Sequence, residues 1–136
     1  MSHATTLVNA AASALFLGLL FAAAPAQPSS HIPDKKICEH DRAVRSAEPV
    51  IQGGCIVVSP RKGNCIGCHA IAGVRSGNIA PPFNSMKQRF PDRARLRAQI
   101  VDARLANPNT VMPPFGAHKI LTPEEIDSVV EFLLTL

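Results

Sequence analysis

Residues 65–69 read Cys-Ile-Gly-Cys-His, and no other stretch restricts so strongly what this chain can fold into. Two cysteines three apart on a helical turn project from one face, so both sulfurs can reach the two vinyl edges of one porphyrin and form thioethers. The next residue, His69, is then held beneath the ring centre, where an imidazole nitrogen binds iron as the proximal ligand. The five residues therefore read as the attachment site of one covalent haem c. Two other chemistries use Cys-x-x-Cys. A dithiol redox motif follows a strand of a βαβ unit, whereas Ser59-Pro60-Arg61-Lys62-Gly63 precedes this one. A structural zinc site needs a second ligand pair at compact spacing, and Cys38 and Cys55 lie 17 apart with no matching Cys-x-x-Cys or His-x3-His.

A porphyrin also answers a packing problem. The chain has 136 residues, enough for one domain, and only 4% are aromatic. A haem supplies the missing apolar mass, and the expected fold class is all-α, with a few short helices packed around it.

Residues 1–26 contain no Asp, Glu, Lys or Arg, and the apolar tract Ala14 to Phe21 ends in Ala24-Pro25-Ala26, a small-x-small pattern before Gln27. This stretch is expected to be a secretory signal peptide; its n-region offers only His3 and the terminal amine, which leaves an uncleaved anchor or a different start codon as alternatives. All 14 basic and 10 acidic residues follow it, so the net charge of +4 belongs to the remainder. That modest bias fits a soluble protein without stable membrane association after cleavage. Dispersed basic residues, no Trp, no Tyr and no recognised binding motif argue against nucleic acid. For a chain bound for an oxidising compartment, a disulfide between Cys38 and Cys55 is the economical pairing, a bridge to a partner or two free thiols being the alternatives.

Gln27 to Lys36 carries Pro28, Ser29, Ser30 and Pro33 and reads as an irregular lead-in. Residues 39–46 suit a helical turn or two. Val50 to Val58 is apolar around Gly53 and Gly54, a short helix leading into the haem site or a strand. Ile71 to Pro91, with two glycines and three prolines, is expected to be loop along the haem edge. Asp92 to Ala106 regains helical spacing, with Leu96, Ile100, Val101 and Leu105 on one side and Arg93, Arg95, Arg97 and Arg104 turned to water or a partner. In the last helix Thr122 caps, Pro123 takes the first position, Glu125 completes a capping box, and Ile126, Val129, Val130, Leu133 and Leu134 form one apolar stripe. That stripe is expected to lie against the helix that opens the haem site.

The sixth iron ligand decides between electron transfer and small-molecule binding. Met112, in Thr110-Val111-Met112-Pro113-Pro114-Phe115, is the stronger candidate, because flanking prolines stiffen the loop and a weak thioether ligand needs rigid placement. Met86 and His118 are the other candidates, and an open sixth position is the remaining alternative. Met86 sits among polar neighbours, where a methionine more often fills a gap or lies on the surface. His31 and His40 are expected to be exposed. No paired carboxylates, Ser-His-Asp set or phosphate-binding glycine loop suggests a separate catalytic apparatus.

The order of haem motif, methionine loop and terminal helix resembles class I cytochromes c. More narrowly, Lys62 to Ala70, Gly77-Asn78-Ile79-Ala80-Pro81-Pro82, and Thr110 to Gly116 followed by His118-Lys119-Ile120-Leu121-Thr122 are similar to the SoxX family. These are the monohaem subunits of the thiosulfate-oxidising SoxAX cytochrome complexes. The resemblance covers roughly residues 50–136; it implies a cytochrome c domain there, preceded by an irregular extension over residues 27–49. It further implies a periplasmic heterodimer with a SoxA-type cytochrome subunit, acting as an L-cysteine S-thiosulfotransferase that joins thiosulfate to a cysteine of the SoxYZ carrier. In that family the sulfur chemistry belongs to the partner's cysteine-ligated haem. The present chain would be a non-catalytic redox subunit that passes electrons to a small cytochrome c. By the match, Cys65 and Cys68 hold haem, His69 is the proximal and Met112 the distal ligand. A free-standing soluble monohaem shuttle is the alternative function.

Overall fold

The computed structural model describes residues 32–40 and 47–136. Its centre is a pair of helices from opposite ends of that chain, α2 (Pro49–Val58) and α5 (Pro123–Leu133), which make the most extensive helix–helix contact in the structure. The start of α5 is fixed by reciprocal bonds: the Glu125 N–H donates to Thr122 Oγ1 at 3.2 Å, and the Thr122 N–H donates to Glu125 Oε2 at 2.9 Å. From there Ile126, Val129, Val130 and Leu133 are buried as their spacing requires, and Leu134 is half-buried. Ser128 and Phe132 are buried too, because α5 is enclosed on more than one side. Val57, Ile126, Val129, Val130 and Phe132 have 2% exposure or less; burial of such side chains stabilises by about 1.5–3 kcal/mol each.

Gly53 explains how closely the two helices approach. A Cβ there would overlap the main-chain carbonyl of Ser128, so α2 lies against the backbone of α5 where any side chain would hold it off. Val50 to Val58 is thus helix and not strand.

Short helix α1 (Lys35–Glu39) comes before this pair, α3 (Met86–Arg89) and α4 (Arg93–Val101) between its members. Helix α4 begins at Asp92, whose carboxylate accepts the Ala94 N–H at 2.8 Å. Its buried side is Leu96 and Ile100. The expected stripe does not run on to Leu105: Asp102 ends the helix, a 3-10 turn (Ala103–Leu105) follows, and Leu105 is 84% exposed while Ala103 takes the buried position. Arg93 and Arg97 do not simply face water. Arg93 pairs with Glu131 at 2.7 Å and Arg97 with Asp127 at 2.8 Å, joining α4 to α5. Such exposed pairs contribute about 0–1 kcal/mol each, so the apolar contacts carry the packing.

Two stretches expected to be irregular contain helix. In the N-terminal extension, Asp34 Oδ1 accepts the Lys36 N–H at 2.9 Å and caps α1; Cys38 of this helix is joined by a disulfide to Cys55 of α2, with Cα atoms 5.1 Å apart. In the glycine- and proline-rich stretch, Met86 is buried at 2% exposure and its N–H donates to the Leu136 carbonyl at 3.1 Å. That anchor allows the single turn of α3. The proposed signal peptide, His31 and residues 41–46 of the expected turn over 39–46 lie outside the described residues. Among the described residues there is no strand beyond an isolated bridge between His69 and Ala80, and no helix is long and apolar enough to cross a membrane.

Candidate functional site

Cys65 and Cys68 sit on a 3-10 turn (Cys65–Gly67) packed against the end of α2, and both are half-buried with free thiols. The turn is held from behind. The Gly77 N–H donates to the Ile66 carbonyl at 2.8 Å and the Ala80 N–H to the Cys68 carbonyl at 3.1 Å, so residues 77–80 run alongside the motif in the same direction. A Cβ at Gly77 would overlap the Gly67 carbonyl, which makes glycine necessary at this approach.

His69 ends the turn with its imidazole fixed on two sides. Its Nδ1 lies 2.6 Å from the Pro81 carbonyl oxygen; a carbonyl only accepts, so Nδ1 carries the proton and Nε2 keeps its lone pair for a metal. The Phe83 ring stacks on the imidazole with centroids 4.3 Å apart and planes at 13°.

Cys65, Cys68, His69 and Met112 all line one cavity of about 700 Å³, within the range of roughly 300–1,000 Å³ usual for small-molecule and cofactor sites. Most of its lining is apolar, including Leu96, Ile100, Phe115, Leu121, Val129 and Leu133 from α4, the methionine loop and α5. The Met112 loop is tied to α4, since the Val101 carbonyl accepts the N–H groups of Gly116 and Ala117 at 3.1 Å each. Met112 is set within that loop by its own N–H, which donates to Thr110 Oγ1 at 3.1 Å. Of the other ligand candidates, Met86 also lines the cavity but is packed into the core with Arg89 Nη1 3.4 Å from its sulfur. His118 and His40 are exposed, and His118 is not part of the lining.

The donor set discriminates among the chemistries open to Cys-x-x-Cys. Burial pushes the Cys65 thiol up to about 12, aided by the neighbouring Cys68 and opposed by a backbone hydrogen bond; a dithiol redox centre needs a thiol shifted the other way. Among the described residues no three His, Cys, Asp or Glu side chains converge as a zinc site requires. Two unpaired thiols, one imidazole with Nε2 free and a thioether around an apolar cavity fit a covalent haem. Three contributors had no separate signal in the sequence. The Pro81 carbonyl, the Phe83 ring and Arg89 lie in a stretch legible only as loop, and a main-chain acceptor leaves no trace in residue type.

Residues 61–136 match the family model described as cytochrome c. A protein described as an uncharacterized lipoprotein, from Aquifex aeolicus (strain VF5), is 33% identical over 75 residues, which cover 54% of this chain. The aligned region is 36% of that relative's length. No solved structure matches the chain.

Proposed function

Because this chain belongs to the cytochrome c family, we propose that it is an electron carrier whose single haem c is bound through Cys65 and Cys68, with His69 and Met112 as the axial ligands of the iron. One observation carries this reading: His69 keeps Nε2 free by donating its Nδ1–H to the Pro81 carbonyl, in a cavity that Cys65, Cys68 and Met112 share. When bound, the haem supplies a one-electron couple between ferric and ferrous iron. The chain's residues do the rest. Pro81 fixes the tautomer and orientation of the imidazole, the leucines and Val129 exclude water, and the tethered loop holds a sulfur donor, which favours the ferrous state over a second imidazole.

The finer reading is a non-catalytic redox subunit of a SoxAX-type complex in the periplasm. It rests on the resemblance of Thr110 to Gly116 and His118 to Thr122, the stretch that forms the methionine loop and leads into α5. Coupling a carrier thiol to thiosulfate yields a cysteine S-thiosulfonate, one proton and two electrons; this chain would accept the electrons from the partner's haem, one at a time, and hand them to a small cytochrome c. Family membership and a lipoprotein among the relatives support an extracytoplasmic setting. Mixing the haem-loaded chain with a SoxA-type partner, SoxYZ and thiosulfate should reduce its haem only when all components are present. A chain that stays monomeric beside the partner, and is not reduced, would instead be a free-standing shuttle.

A further inference from the structure

Residues 81–84 form a short run without helix or strand between the haem-binding turn and α3, and they serve two neighbours in alternation. Pro81 and Phe83 attend His69, the first by its carbonyl at 2.6 Å and the second by its ring. Pro82 and Asn84 attend Arg89, whose Nη1 donates to their carbonyls at 2.6 and 3.4 Å. The Asn84 N–H closes onto the Pro82 carbonyl at 3.1 Å, so the run turns tightly at Phe83, and the imidazole and the guanidinium hold alternate members of the same four residues.

The run needs that second hold. Phe83 donates its N–H to the Ala70 carbonyl at 2.8 Å, but Pro81 and Pro82 have no N–H, so only their carbonyls can be anchored: that of Pro81 by His69, and that of Pro82 by the Asn84 N–H at 3.1 Å and by Arg89. Arg89 is suited to this, being the last residue of α3, which the buried Met86 fixes; its guanidinium carbon also lies 5.9 Å from the Phe90 ring centroid.

We propose that Arg89 is a positioning residue for His69: by clamping Pro82 and Asn84 it holds the Pro81 carbonyl against the imidazole N–H and Phe83 against the ring. This rests on His69 being an axial ligand. A shorter bond from Nδ1–H makes the imidazole a stronger donor and stabilises ferric iron. Loosening the clamp therefore raises the reduction potential, whereas deleting a nearby positive charge would lower it.

The test uses the haem-loaded full chain as wild type, Arg89→Lys and Arg89→Leu. Lysine keeps the charge, but its ammonium ends a shorter, freely rotating stem without the guanidinium plane that sets Nη1 against both carbonyls. In Arg89→Lys the His69 Nδ1–H should exchange with solvent several-fold faster, the hyperfine-shifted imidazole resonances should move, and the potential should rise. An Arg89→Lys protein that matches wild type in all three overturns the proposal, and a drop in potential confined to Arg89→Leu assigns Arg89 a purely electrostatic role and overturns it equally. Wild type lacking a histidine-ligated low-spin signature would instead refute the axial role of His69, so the two failures are distinguishable.

Discussion

Substituting Gly53 with alanine tests the helix crossing on which the cavity depends. Its new Cβ would meet the Ser128 carbonyl, and α2 and α5 would have to part by roughly 1–1.5 Å to regain van der Waals separation. Trimming a side chain cannot relieve the overlap, because the obstacle is main chain. Overpacking of this kind costs about 1–3 kcal/mol, with the upper end expected where the neighbour cannot rotate away. Alanine recovers roughly 0.8–1 kcal/mol through its higher helix propensity. The net loss is about 2 kcal/mol, a drop in Tm of about 8–16 °C for a domain near 100 residues. Thermal unfolding of the haem-loaded protein, followed by far-ultraviolet circular dichroism, measures it. Gly54→Ala is the control: its Cβ would lie 2.6 Å from the Pro33 ring, so Pro33→Ala should reduce its cost while leaving that of Gly53→Ala unchanged. A Gly53→Ala protein as stable as wild type would refute the reasoning. Val129 and Leu133 line the cavity from the same helix, so haem loading should fall along with Tm.

Met112→Ala should open the sixth position, lower the potential, abolish the far-red absorption of thioether-ligated ferric haem and let carbon monoxide bind the ferrous protein quickly; retention of that absorption would exclude Met112 as ligand. Replacing both Cys38 and Cys55 with serine should destabilise the domain by about 3 kcal/mol, the expected effect of closing a loop of this length, as read by urea unfolding. The Arg104 side chain, hydrogen-bonded to Asp102, holds that carboxyl below the usual aspartate range. The stabilisation is present above the unfolded value of about 3.9 and is lost as pH falls through the lower folded value. Asp102→Asn should therefore show less loss of stability than wild type below about pH 4 in an acid titration followed by circular dichroism.

Legibility in the sequence followed the locality of the cause. Thr122, Pro123 and Glu125 specify the start of α5 within four residues, and the haem motif is complete in five, so both could be read directly. The end of α4 could not, because Leu105 keeps the apolar spacing while Asp102 turns the backbone out of the helix. Helix α3 escaped for a different reason. One turn has no periodicity, and its anchor is the carbonyl of Leu136, fifty residues away. The same holds for the support of His69, which is the Pro81 carbonyl and the Phe83 ring, both placed by the fold.

The four cysteines show how far the fold overrides proximity along the chain. In an unstructured chain, shorter loops close more readily, and Cys55 is 10 residues from Cys65 but 17 from Cys38. Loop entropy alone favours the wrong pairing by about two-fold, and the Cys65–Cys68 pairing more strongly still. The bond between Cys38 and Cys55 therefore reflects folded structure. Asp34 caps the turn that carries Cys38, and Pro33 seats beside Gly54, next to Cys55 in α2. With Cys55 so engaged and 4% exposed, Cys65 and Cys68 keep their thiols on the far side of the Ser59 to Asn64 turn, in the form that thioether attachment requires. One chain can thus hold an oxidised sulfur pair and a reduced one, because a helix cap and a proline contact, more than distance in sequence, choose the partners.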